Sequence, residues 1–201
     1  MESKLTTLAK QHSQLDEEIL SRKSIQWLKN RMQGIRNPIS IASGIVRETE
    51  RRTNNVLVGH LYFFLYHPKT AKSLPYFDAF PLVLVLQKFD DGFLGLNFHY
   101  LPIVFRAAFL DKLMNFAKYD GRDDPQRIKV SYDILSSTKR YKAFEPCLKR
   151  YSYSQMGTKP LKVDSTEWET ALFLPIQNFK KAKPNKVWHD SLDMMKTNNQ
   201  Q

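Results

Sequence analysis

Lys149-Arg150-Tyr151-Ser152-Tyr153 sets two cations beside two aromatic rings within a short run. Lysine and arginine neutralise phosphates, and an aromatic face stacks on any base, so this composition suits a nucleic acid held without regard to sequence. The same third of the chain carries Lys139, Arg140 and Lys142 upstream, then Lys159 and Lys162, and finally Lys180, Lys181 and Lys183. Together these residues make the candidate DNA-binding set, with Tyr151 and Tyr153 as its stacking members. The plain alternatives are an evenly basic solvated surface for the lysines and a place in the core for the tyrosines. No recognition-helix motif accompanies them, so contact through the phosphate backbone is expected.

Other chemistry finds less support. Asp78, Asp90, Asp91 and Asp111 could converge on magnesium as a nuclease cluster. The sequence offers simpler roles: Asp90 and Asp91 belong to a turn, and Asp111 faces out from a helix. Only Asp78 lacks a ready place. His12, His60, His67, His99 and His189 are isolated from second ligands, and Cys147 is the single cysteine. Neither a metal site nor a disulfide is expected. Glycine-rich phosphate loops and a GxSxG elbow are absent. Catalysis and a cofactor are therefore not expected.

Charge supports a polyanionic partner. The chain of 201 residues carries a formal net charge of +11. Residues 1–60 hold 10 Lys/Arg against 6 Asp/Glu, residues 61–125 hold 7 against 7, and residues 126–201 hold 14 against 7. The middle is neutral and the excess is concentrated in the last third, which favours a partner-facing patch. A 42% hydrophobic and 12% aromatic composition is ordinary globular material. The longest apolar stretch, around Phe80 to Leu86, is far short of the roughly 20 residues of a membrane span, and no signal-peptide core opens the chain. A soluble, unexported protein with no membrane partner is expected.

The elements that must hold these residues follow from periodicity. Leu5, Leu8, Leu15, Ile19, Ile25, Leu28 and Met32 predict an amphipathic helix over 1–33, followed by a polar, basic linker to Asn55. Val56 to Tyr66 and Leu82 to Gln87 read as strands, and Asp91-Gly92 reads as a tight hairpin turn needing positive φ before a second arm from Leu94 to Tyr100. These arms are apolar on both parities, which predicts burial on both faces. A helix is predicted from Pro102 to Lys118 with Phe105 on its inner stripe, another from Ser131 to about Phe144, a strand at Leu161 to Val163, and a helix after Asp164 ending before Pro175. Residues beyond 180 read as a tail that docks at Trp188 and frays after it. The expected fold is α+β: a small, mainly antiparallel β core, barrel-like or a sheet covered by helices, with an N-terminal helical arm. Its divisions are an arm and linker at 1–55, a core at 56–180 and a tail at 181–201. The aromatics crowded between Tyr62 and Tyr100 read mainly as core.

The block Leu74-Pro75-Tyr76-Phe77-Asp78-Ala79-Phe80-Pro81-Leu82-Val83, followed by Asp91-Gly92-Phe93-Leu94-Gly95-Leu96-Asn97-Phe98-His99-Tyr100-Leu101-Pro102, resembles a virion-associated protein family of T-even-type tailed bacteriophages, the DNA end protectors. Lys139-Arg140-Tyr141, Cys147 to Tyr151, Glu167-Trp168 and Lys186-Val187-Trp188 extend the resemblance over about residues 56–190. It implies a protein of the virion that caps the double-stranded ends of packaged DNA against host exonuclease. It would reach the host cytoplasm after synthesis and on DNA delivery. Other virion subunits are implied as partners. A head-completion or neck protein that docks on such subunits is the alternative, and a phage nuclease comes third.

Overall fold

The computed structural model describes residues 53, 55–102, 105–106, 144–164, 168–174 and 176–199. The helix expected over 1–33 lies outside these residues, as do nearly all of those expected over 102–118 and 131–144.

Among the described residues, seven strands form two sheets. The larger comprises β1 (Leu61–Phe63), β3 (Leu82–Phe89), β4 (Gly92–Asn97), β5 (Leu148–Ser152) and β6 (Leu161–Val163), in the order β5-β4-β3-β1-β6. Every pairing in it is antiparallel. The smaller joins β2 (Phe77–Asp78) to β7 (Phe179–Lys180). Two helices follow late in the chain, α1 (Trp168–Phe173) and α2 (Pro184–Asn199). Among the described residues no helix is long and apolar enough to cross a membrane.

Period-two alternation sorts the strand residues onto two faces, and both are buried. Leu61, Phe63, Leu82, Leu84, Leu86, Leu96 and Leu161 meet Trp168, Leu172, Ile176 and Val187 beneath the helices. Tyr62, Phe64, Val83, Val85, Phe93 and Tyr151 form a second, aromatic cluster on the other side. Its rings meet edge to face, Phe64 with Phe93 at 5.8 Å and with Tyr151 at 5.1 Å between centroids. The expected double burial is thus a sheet with a separate core on each side.

After β5 the chain crosses to the other edge of this sheet. On the way Tyr66 bridges Met156, His67 N donates to Gln155 O at 3.0 Å, and Gly157 N donates to Leu65 O at 2.9 Å. One covalent segment, 153–160, therefore links edge strands β5 and β6 and pairs on its way with the chain after β1.

Several local expectations are corrected. The first strand is short because Gly59 turns at φ 79° just ahead of it. In the hairpin, Phe89 pairs with Gly92, so Asp90 and Asp91 make the turn and Gly92 opens β4. Positive φ is confined, among the described residues, to Gly59 and Lys181. Gly92 is required for a different reason: a Cβ there would lie 1.9 Å from the Tyr151 carbonyl oxygen. The second arm ends at Asn97, whose side chain accepts from His99 N at 2.9 Å and starts a 3₁₀ turn over Phe98–Tyr100. Phe105 is 45% exposed, whereas Arg106 is fully buried. The Arg106 guanidinium donates to the carbonyls of Leu101, Leu172 and His99, which explains how a charge occupies the inner position. Beyond Lys183 the tail is helical: α2 buries Val187, and Trp188 Nε1 donates to His99 O at 2.9 Å.

Candidate nucleic-acid interface

A cleft of about 520 Å³ opens where the extension of β1, the 68–78 segment, the 3₁₀ turn after β4 and strand β5 meet. Tyr66, Tyr76, Tyr100 and Tyr151 contribute aromatic surface to it. Lys69, Lys149 and Arg150 bring positive charge, and Thr70, Ser154 and Gln155 bring hydrogen-bonding groups.

Lys149 is the unusual member. Its Nζ stands 4.4 Å from the centre of the Tyr100 ring, a cation–π contact. Among the described residues it has no hydrogen-bond acceptor and no carboxylate partner. Burial pushes the ammonium below its ordinary pKa, against the opposing influence of Cys147 and Glu145. Arg150, by contrast, is already engaged: it pairs with Asp91, donates to the Tyr151 carbonyl and lies over the Phe89 ring at 4.2 Å.

Below these groups lies a buried polar network. Asp78 Oδ1 accepts from Phe80 N at 3.0 Å and Asn178 N at 3.1 Å, and Oδ2 lies 2.7 Å from His99 Nδ1 and accepts from Asn97 Nδ2 at 3.2 Å. The same Asn97 amide donates to the Tyr151 hydroxyl. Burial alone would raise the Asp78 pKa, but His99 and these main-chain donors outweigh it and hold the carboxyl below its ordinary range. Burial lowers the His99 pKa, so the imidazole is neutral near pH 7 and donates from Nδ1. Its Nε2 has no partner among the described residues, which suits an unprotonated nitrogen. This is the role for Asp78 that was not evident from the sequence. The carboxylate fixes the junction of β2, β4 and the chain before β7.

The expected binding residues separate into groups. Lys149, Arg150 and Tyr151 line one cleft. Tyr151, however, is only 3% exposed, with Phe64, Tyr66 and Phe93 packed around its ring, so its faces are not free to stack on a base. Strand alternation is the cause: Tyr151 shares a face with Phe93, its cross-strand neighbour. Tyr153 is half-buried beside Phe93, at 6.0 Å. Lys159, Lys180 and Lys183 are exposed, and Lys162 is half-buried on β6. The Lys181 ammonium donates to the carbonyls of Ala71, Lys72 and Leu74 at 2.7 to 2.9 Å, so it clamps the loop beside the cleft. Lys139, Arg140 and Lys142 lie outside the described residues. Lys69, Tyr76 and Tyr100 were not in the expected set; the first two sit in the punctuated stretch before Pro81, where no periodicity marks a wall of a site.

No curated protein and no solved structure matches the chain. The family described as Phage T4 terminal DNA protecting protein matches residues 8–191, nearly the whole sequence. The chain belongs to that bacteriophage family of DNA-protecting proteins.

Proposed function

We propose that this protein binds the ends of packaged linear double-stranded DNA through the phosphate backbone, without sequence specificity, and shields them from host exonuclease. The observation that carries the reading is the Lys149 ammonium, which among the described residues has no ion-pair or hydrogen-bond partner, in a tyrosine-walled cleft of a chain with net charge +11. Membership of a DNA-protecting family points the same way. Lysines at 159, 162, 180 and 183, with Lys139, Arg140 and Lys142, would supply further phosphate contacts around it. Such binding releases counterions and weakens steeply with salt. Capping an end breaks no bond, so the protein acts as a binding protein and not as an enzyme. It acts in the virion and, on DNA delivery, in the host cytoplasm.

The test is protection of a linear duplex from an exonuclease that loads at ends. The protein should prolong survival of the duplex, and short linear fragments should relieve that protection more than an equal mass of circular DNA. Equal relief by circles overturns the reading. So does binding that is unchanged between about 50 and 200 mM salt.

A further inference from the structure

We infer that the cleft beside Lys149 takes one unpaired nucleotide at the tip of a DNA strand and holds its terminal phosphomonoester on the Lys149 ammonium. This inference rests on the end-protection reading and specifies which feature of an end is read. An interior phosphodiester carries one negative charge and continues into a neighbour on both sides. A phosphomonoester carries about 1.5 to 2 negative charges at pH 7 and is free on one side.

The cleft matches the second description. Its volume of about 520 Å³ falls among pockets that enclose a single small ligand, roughly 300–1,000 Å³, and a base-paired duplex does not fit within it. Tyr76, half-buried at the wall, offers a ring against which a base or sugar can lie, while the buried Tyr66 and Tyr100 form the floor behind it, and Thr70, Ser154 and Gln155 offer polar contacts. Lys149 supplies the reason for an anion. A partly desolvated cation whose one close partner is a ring retains three N–H donors for phosphate oxygens. Arg150 is less suited to this position because Asp91 already neutralises it. Asp78 also borders the cleft and keeps its charge, but it is only 3% exposed and its oxygens are taken up by four donors. Lys181 holds the 71–74 loop that borders the opening.

The decisive measurement uses the full-length protein and linear duplexes of one sequence ending in a short single-stranded extension. The strand tip carries a 5′-phosphate, a 3′-phosphate or hydroxyls only, and circular DNA of equal mass serves as competitor. One of the phosphorylated tips should bind at least about fivefold more tightly than the hydroxyl tip, and in Lys149→Met that ratio should fall to about one. Equal binding of all three tips by the unaltered protein overturns the inference without recourse to any variant. Retention of the ratio in a folded Lys149→Met protein overturns it as well. A free deoxynucleoside monophosphate that competes as well as the phosphorylated tip would mark a nucleotide site and not an end site, with the same result. Linear DNA preferred over circles with no dependence on phosphate removes this inference alone; circles competing equally with linear DNA remove the end-protection reading with it.

Discussion

His99 Nδ1 lies 2.7 Å from the Asp78 carboxylate, and both side chains are essentially closed to solvent. Burial lowers the His99 pKa in the folded state, while an unfolded histidine titrates near 6.5. Below that pH the unfolded chain binds a proton that the folded one resists, so acidification destabilises the fold. Asp78 acts in the same direction at lower pH: its depressed pKa gives stability that is lost as pH falls through the folded value. The unfolding free energy from urea titrations should drop between pH 7 and pH 5, by at most about 1.4 kcal/mol per pH unit for one proton. In His99→Asn the protein should be less stable at pH 7 and this slope should flatten. A flat wild-type profile across that window would refute a buried neutral His99.

Gly92→Ala should cost about 1–3 kcal/mol in chemical unfolding, because the new methyl meets the Tyr151 carbonyl and the Arg150 guanidinium on the paired strand. Gly157→Ala is the control. Its Cβ would meet Leu65 Cβ at 3.3 Å, a contact relieved by a small shift, so the loss should be much smaller. Equal losses at the two positions would contradict the close approach of β5 to β4.

Tyr151→Ala should destabilise by about 3–5 kcal/mol, as expected for a large ring removed from a packed cluster. Tyr153→Ala, which removes a ring packed only at the edge of that cluster, should cost clearly less stability than Tyr151→Ala and weaken exonuclease protection. Stacking by Tyr153 is worth on the order of 1–3 kcal/mol. Unchanged protection in a folded Tyr153→Ala protein would remove Tyr153 from the interface.

Lys181→Ala should speed amide exchange over residues 71–74, since three carbonyls there lose their common donor. General DNA affinity should fall less than in Lys149→Met. If the order is reversed, Lys181 contributes mainly as a phosphate contact.

A chain of residues 56–201 should melt cooperatively, because among the described residues both buried clusters begin at Val56. Calorimetry with no cooperative transition would assign part of residues 1–55 to the core.

Strands were legible where the apolar pattern persists: Leu82 to Leu86 is apolar on both parities, and the structure gives each parity its own cluster. The cleft was not legible, because its walls come from residues 66–78, 91, 100 and 149–155, which meet only through the sheet. Within Leu148–Ser152 alternation alone separates Arg150 from Tyr151, and that was the available signal that the two could not act side by side. Composition treats all lysines alike. It cannot distinguish Lys181, spent on three carbonyls, from Lys149, which has none.

Leu61 pairs with Leu84 on one side and with Val163 on the other, more than a hundred positions later. During synthesis β1 can find β3 early, yet its second edge stays open until β6 leaves the ribosome. At roughly 5–20 residues per second that interval lasts about 5–20 s. Throughout it an apolar strand presents unpaired N–H and C=O groups to other nascent chains. Soluble yield should therefore respond to growth temperature and to the rate of ribosome initiation, and hardly at all to substitutions among the exposed lysines Lys159, Lys180 and Lys183.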